Sequence, residues 1–246
     1  MLEPHYNTVI IGAGPAGLIA GVEAFNPNHS IVILEKMHKT GLKLRISGKG
    51  RCNITNEESM QSFLDRFGKK GRFLKYAFSQ FFNHDLLKYI NDLGVPTKLE
   101  RGGRYFCESD RATDIVVAFE RKLSELNIPI AMKTHVTGIQ KIDGGQYALQ
   151  VKQGEHQTQV LADQVCVCSG GLGYPATGST GEGYSMAQAF DHTIIDTAPS
   201  LVPVLTAGDT AKRVMGVSLR NVSLSIWDEG KKVTEMFGEM MFKRKG

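Results

Sequence analysis

The fold is decided by Thr8-Val-Ile-Ile-Gly-Ala-Gly-Pro-Ala-Gly17 and by Ile31-Val-Ile-Leu-Glu35 beyond it. Thr8–Ile11 is a β-branched run of the kind buried on both faces of a parallel sheet. Gly12, Gly14 and Gly17 follow, and a helix is expected from there to about Phe25, stopped by Asn26-Pro27-Asn28. Ile31–Leu34 is the next strand, so the segment reads as a compact βαβ unit. In such a unit the first glycine permits a tight turn, the second lets a pyrophosphate approach the backbone, and the third lets helix and strand pack closely. Free N–H groups and the positive end of the helix dipole complete an anion site, and Pro15 suits a first helical turn because its missing N–H has no partner to lose. The candidate cofactor contacts are therefore Gly12, Ala13, Gly14, Pro15, Ala16 and Gly17, with Glu35 at the end of the second strand to accept hydrogen bonds from ribose hydroxyls. A carboxylate there disfavours a 2′-phosphate, so the site suits FAD or NAD better than NADP.

Outward from this unit the chain is basic and loop-like over 36–51, with Lys36, Lys39, Lys43, Arg45, Lys49 and Arg51 and no acid among them. These cations are either a solvated face or a loop closing on phosphates or a carboxylate. Ser47-Gly-Lys49-Gly-Arg51 favours the latter, because glycines let the backbone approach a ligand. Helices are expected over Ser59–Phe67, Arg72–Phe82 and Asp85–Leu93, with Asn83 as N-cap and Gly94 past the end. A longer helix is expected over Arg111–Leu126, with Ile115, Val116, Phe119 and Leu123 as its apolar stripe. Ile128–Lys133 reads as a third parallel strand. Val136–Ile142, Tyr147–Lys152 and Thr158–Ala162 read as a β-meander split by Asp143-Gly144-Gly145 and Gln153-Gly154-Glu155. Gln164–Cys168 is a further strand, ending in a second glycine-rich stretch, Ser169–Gly183, that opens a helix over Glu182–Phe190. Beyond Pro199 come short strands, with a hairpin of Val222–Trp227 and Lys232–Met236.

The fold class is therefore α/β: a doubly wound parallel sheet of Rossmann-like character with a β-meander, over 1–195, followed by the start of a β-rich domain over 196–246. The chain has 246 residues, 41% of them hydrophobic and 22% charged, with a net charge of +4, as expected of a globular protein with a real core. No apolar run is long enough for a membrane span, and Met1–Asn7 lacks the basic start of a secretory signal, so the cytoplasm is the default compartment. Four cysteines show no metal-ligand spacing, so no metal site is expected. Cys166 and Cys168 share one strand face and read as packing; Cys52 lies beside Lys49 and Arg51, which would lower its pKa if they faced it. The basic loop is a single segment without interleaved aromatics, which argues against a nucleic-acid partner; a small-molecule substrate is expected.

With these segments in place the sequence resembles the BaiN/RdsA-like NAD(P)/FAD-dependent oxidoreductases, also called aminoacetone-oxidase-type FAD-binding flavoproteins. The resemblance is carried by Val9–Gly17, Gly41–Leu44, SGKGRCNITN (47–56), Gly103–Phe106, YPATGSTGEGY (174–184) with the preceding Gly170-Gly171, and Leu201-Val-Pro203. It implies FAD on Gly12, Gly14, Gly17 and Glu35, with Lys36 beside them. Lys43, Ser47, Gly48, Arg51 and Asn53 would line the ribityl and flavin-ring side, the backbone of Val136 would meet adenine, and Gly170 and Gly171 would pass the cofactor's middle. It also implies reduced nicotinamide, NAD(P)H, as electron donor, with no catalytic acid or base assigned. The chain departs from the family at Cys107, Cys168-Ser169 and Gly173, and ends where family members continue and return to the FAD domain. A missing return is expected to uncover part of the sheet and invite association. Two alternatives stand beside this reading: a flavin-free NAD-dependent dehydrogenase and a non-catalytic remnant.

Overall fold

The computed structural model describes residues 2–199 and 202–243; Leu201 of the quoted family stretch lies outside them. The β-branched run forms β1 (His5–Ile11), and α1 (Pro15–Glu23) starts on Pro15 with Gly14 as its extended N-cap. β2 (Ile31–Leu34) lies parallel to β1, Thr8 opposite Ile31 and Ile11 opposite Leu34. The two strands are buried along this register, Val9, Ile10 and Ile33 completely. Each such side chain stabilises the fold by about 1.5–3 kcal/mol relative to exposure.

The basic stretch after Glu35 is not all loop. It contains α2 (Leu42–Ile46), which starts on Gly41 at φ +60, followed by a tight 3-10 turn over Ser47–Gly50. A Cβ at residue 41 would lie 2.7 Å from a methyl of Val116, so glycine lets this helix dock on the longer one described below. Next come β3 (Thr55–Asn56), α3 (Met60–Arg66), whose N-cap Ser59 accepts from the Ser62 N–H, and α4 (Lys75–Gln80). The expected single helix over Arg72–Phe82 is in fact a 3-10 segment, Gly68–Leu74, that hands over to α4. α5 (Asn83–Asp92) begins two residues earlier than expected. Asp85 accepts from the Phe82 N–H at 2.8 Å, whereas the Asn83 amide donates to the carbonyls of Asn56 and Glu58. Asn83 is thus a buried tie to β3 and not a cap.

β4 (Thr97–Glu100) and β5 (Arg104–Cys107) are antiparallel, and with β3 they make a small sheet of order β3-β5-β4. α6 (Ala112–Glu125) buries the expected stripe of Ile115, Val116, Phe119 and Leu123. β6 (Ile130–Ala131) pairs parallel with β2 for only two residues. β7 (His135–Lys141) and β8 (Tyr147–Gln153) open the meander, and β9 (His156–Val167) closes it. Here the structure differs from the sequence reading. Thr158–Ala162 and Gln164–Cys168 are not two strands but one, β9, antiparallel to β8 along its first half and parallel to β1 from Leu161 onward. The main sheet has the order β6-β2-β1-β9-β8-β7.

One core cluster packs α1, α5 and α6 on the Ile10–Ile33 face of the sheet. The other joins Val9, Ile11, Val32 and Leu34 to Val136, Leu149, Val151 and Val160 of the curled meander and to Met186 of α7 (Glu182–Gln188). Contacts divide the chain into two compact units, Met1–Ile194 and Ile195–Gly246. The second contains α8 (Thr210–Arg213) and a hairpin of β10 (Ser218–Asp228) and β11 (Lys231–Met241).

Candidate dinucleotide site

Three parallel strands, β1, β2 and β9, end at one cavity of about 650 Å3. Strand order reverses between β2 and β9 about β1, and such a switch point leaves a crevice at the carboxyl edge of a doubly wound sheet. From β1 and its turn the lining takes Ile11, Gly12, Gly14, Pro15 and Ala16; from β2 it takes Leu34, Glu35 and Lys36.

The glycines there hold distinct jobs. Gly12 has φ +103, and a Cβ on it would lie 2.6 Å from the Cys168 carbonyl oxygen; a Cβ on Gly17 would lie 1.8 Å from the Gly12 oxygen. Both are needed for close backbone packing. A Cβ on Gly14 would meet nothing within 4 Å, so this position opens onto the cavity. No side chain caps α1, whose N-terminal N–H groups and dipole thus face the cavity uncovered.

Glu35 is buried, and each of its carboxylate oxygens accepts one backbone N–H: Oε2 from Ala13 and Oε1 from Met37, both at 2.7 Å. These bonds fix the carboxylate at the mouth of the turn. A carboxylate has about four acceptor positions, so two remain for a ligand's hydroxyls. Ala13 itself is fully buried and serves the site through this N–H.

The second glycine stretch folds over the first. Gly170 and Gly171 line the cavity with Gly178, Ser179 and Tyr184. Lys43 Nζ donates to the buried Ser179 Oγ at 2.7 Å, and Lys36 Nζ donates to Thr180 Oγ1 and Glu182 Oε1, each at 2.8 Å. His135 Nε2 lies 3.3 Å from the same Glu182 oxygen. Burial works to raise the Glu182 pKa, but the Lys36 ammonium, the Thr180 hydroxyl and His135 outweigh it and hold the carboxyl below its usual range. The adjacent wall is the buried Thr134 with His135 and Val136 at the start of β7.

Of the sequence-predicted residues, Gly12, Gly14, Pro15, Ala16, Glu35, Lys36, Lys43, Val136, Gly170 and Gly171 thus come together around the cavity, while Ala13 and Gly17 shape it from behind. Ser47, Gly48, Arg51 and Asn53 are not in its lining. Arg51 is engaged elsewhere: its guanidinium pairs with Glu100 and, at 2.6 Å, with Asp110, and stacks 4.2 Å from the centroid of Phe106. Its pKa is raised, chiefly by the hydrogen bonds to Glu100 and Asp110. Cys52 is not an activated thiol either. Burial pushes its pKa up against a smaller opposing hydrogen bond from Ser47. The Cys166 and Cys168 sulfurs sit 3.5 Å apart, and burial together with Cys166 pushes Cys168 up to about 12. Thr134, Ser179, Glu182 and Tyr184 were missed; the run GSTGEGY was the signal for three of them.

A turn of glycines against an uncapped helix, a carboxylate held beside it and a second glycine loop over both define a dinucleotide-binding domain of Rossmann type. The comparisons narrow the class. Residues 6–242 match the HI0933-like protein Rossmann domain, and the chain belongs to that family. It is the family whose resemblance SGKGRCNITN and YPATGSTGEGY carry. A ribosomal RNA dihydrouridine synthase of Haemophilus influenzae is 26% identical over 100% of this chain and 59% of its own length. A 3-dehydro-bile acid delta(4,6)-reductase of Clostridium scindens is 29% identical over 85% of this chain and 49% of its own. The chain thus spans about half the length of the curated relatives it matches. Among solved structures, the 3-ketosteroid-delta4-(5alpha)-dehydrogenase of Rhodococcus jostii RHA1 superposes with a TM-score of 0.58 at 15% identity, covering 77% of this chain and 54% of that one. That likeness concerns the fold. Among the described residues no helix is long and apolar enough to cross a membrane.

Proposed function

We propose that this chain is the FAD-binding part of a flavin-dependent oxidoreductase. The observation that carries the reading is the convergence of α1's uncapped N-terminus, the tethered Glu35 carboxylate and the Gly170-Gly171 turn on one cavity at the switch point of the sheet. The residues fit the group. Gly12, Gly14, Pro15 and Ala16 would take the pyrophosphate on backbone N–H groups and the helix dipole, and Glu35 would accept the adenosine ribose hydroxyls. Val136 and Thr134 would flank adenine, and Gly170, Gly171 and Lys43 would border the middle of the cofactor. Bound flavin supplies hydride and electron transfer; the protein orients it and sets its electrostatic surroundings. Lys36 and Lys43 bring positive charge to the diphosphate while holding the second glycine loop closed.

The family resemblance assigns Ser47, Gly48, Arg51 and Asn53 to the flavin-ring side, and reduced nicotinamide to the role of donor. Residues 196–246 are then the beginning of a β-rich domain inserted in a longer enzyme. The names of the relatives support a substrate class. Dihydrouridine is uridine with a ring double bond reduced, and a delta(4,6)-reductase reduces ring double bonds. Reduction of a carbon–carbon double bond in a cyclic substrate is the common chemistry, and it is the one proposed here. The absorption spectrum of the protein as isolated tests the cofactor: the bands of an oxidised flavin are expected, bleaching on addition of NADH or NADPH. Protein that stays colourless after incubation with FAD overturns the proposal.

A further inference from the structure

A second charged segment lies outside the site. From Arg66 to Phe82 the chain carries Arg66, Lys69, Lys70, Arg72 and Lys75 with no acid; Phe67, Phe73 and Tyr76 are interleaved with them, and Phe78, Phe81 and Phe82 follow. Phe81 packs against Tyr89 of α5, and the other rings, with Phe63 of α3, fall into two sets. Phe63, Phe78 and Phe82 turn inward and pack edge to face or tilted, with centroids 5.0–6.1 Å apart, which makes a stiff base beneath α3, the 3-10 segment and α4. Phe67, Phe73 and Tyr76 turn outward and are 56%, 88% and 77% exposed. Gly71 lets the segment fold this tightly: a Cβ there would lie 2.1 Å from the Leu64 carbonyl oxygen. Arg66 is paired with Glu58 at 2.5 Å. The side chains of Lys69, Lys70, Arg72 and Lys75 are exposed and have neither ion-pair nor hydrogen-bond partner among the described residues.

From this arrangement we infer that the surface of residues 67–76 binds a single-stranded stretch of nucleic acid, whose unstacked bases lie on Phe73 and Tyr76 and whose phosphates meet Lys69, Lys70, Arg72 and Lys75. The chemistry is specific to that partner. Flat rings presented on a rigid base stack with any base, and cations between them follow the backbone. An apolar protein surface would have to bury four unpaired cations, which is costly. A membrane surface is matched by an amphipathic helix with aliphatic and aromatic residues along one face; here the exposed large apolar side chains of the segment are rings alone, on two short helical pieces. The inference is independent of the flavin reading, and if both hold, this surface would present a nucleic-acid substrate or partner to the same protein.

The test titrates the full protein into a fluorescent single-stranded RNA of about 12 nucleotides, a length within the usual site size, and follows anisotropy at several salt concentrations. Binding is expected, with the duplex of the same sequence a poor competitor. The double variant Phe73→Ala, Tyr76→Ala should bind at least about tenfold more weakly. Lys69→Gln with Lys70→Gln should flatten the log Kd against log salt slope by about 1.4, from two lost phosphate contacts on a single strand. Both pairs are on the surface, and unchanged thermal melting verifies that they fold. Failure of the wild-type protein to bind at low salt, equal binding by the variants, or selective binding to phosphatidylserine vesicles in place of RNA overturns the inference. The flavin spectrum, read on the same samples, reports on the cofactor proposal separately: a colourless protein that still binds the RNA defeats that proposal and leaves this one standing.

Discussion

Alanine at Gly14 and alanine at Gly17 should separate binding from folding within a single turn. The Gly14 backbone is extended, at φ −75 and ψ 178, a conformation open to any L-residue, and its added methyl has nothing within 4 Å. Stability should therefore hold or rise by about 0.4–1 kcal/mol, because alanine restricts the unfolded chain. The methyl would nevertheless occupy the space through which a diphosphate reaches the helix N-terminus. Keeping the phosphates off the N–H groups should weaken FAD at least tenfold, about 1.4 kcal/mol. At Gly17 the methyl would sit 1.8 Å from the Gly12 oxygen, and moving it to ordinary contact near 3.4 Å requires α1 and the turn to part by about 1.6 Å. Backbone meets backbone here, so no rotamer change relieves the overlap, and the cost should reach about 3 kcal/mol, the upper end for overpacking. Thermal melts and FAD titration by flavin fluorescence read the two effects. A Gly14→Ala protein with unchanged FAD affinity, or a Gly17→Ala protein that melts like the wild type, would refute the reasoning.

Three further outcomes follow from the geometry. Glu35→Gln places an amide NH2 against one of the two backbone N–H donors, and should cost about 1–3 kcal/mol in urea denaturation as well as weakening FAD; an unmoved midpoint would mean that those bonds contribute nothing. Asp163 accepts from Gln146, His5 and Asn7, in that order of effect, and its pKa falls to about 2. A lowered carboxyl pKa contributes stability above its unfolded value and loses it as pH falls through the folded one, so melting temperature should drop between about pH 4 and pH 2, and Asp163→Asn should flatten that drop. Leu149→Ala, at a fully buried position of β8, should cost about 2–5 kcal/mol by transfer and cavity together, checked by chemical denaturation.

Much of the fold was legible because it depends on local sequence. Thr8–Gly17 and Ile31–Leu34 give β1, the turn, α1 and β2, although β1 starts three residues earlier, at His5, and α1 ends at Glu23, and the stripe of α6 follows from spacing alone. β9 was split at Asp163, the one residue left between the expected strands Thr158–Ala162 and Gln164–Cys168. That residue's polarity is satisfied by partners on other strands, His5 and Asn7 of β1 and Gln146 just before β8, which no local pattern announces. The β3-β5-β4 sheet was missed because its strands are two to four residues long and half-polar. α2 was missed for want of a capping residue, since Gly41 serves through a positive φ. At the site the glycines and Glu35 were legible. The ties from Lys36 to Glu182 and from Lys43 to Ser179 were not, as they join residues 146 and 136 apart in sequence.

The unbroken course of β9 sets where this domain can accept change. A residue inserted or deleted inside His156–Val167 would swap its two side-chain faces, turning Val165 and Cys166 toward opposite layers and misplacing the Cys168–Gly171 end at the cavity. The hairpin tips at Asp143–Gly145 and Gly154-Glu155 carry no such penalty. Tags, reporter loops and lineage-specific insertions should therefore be tolerated at those tips and rejected along the strand between them and the cofactor crevice.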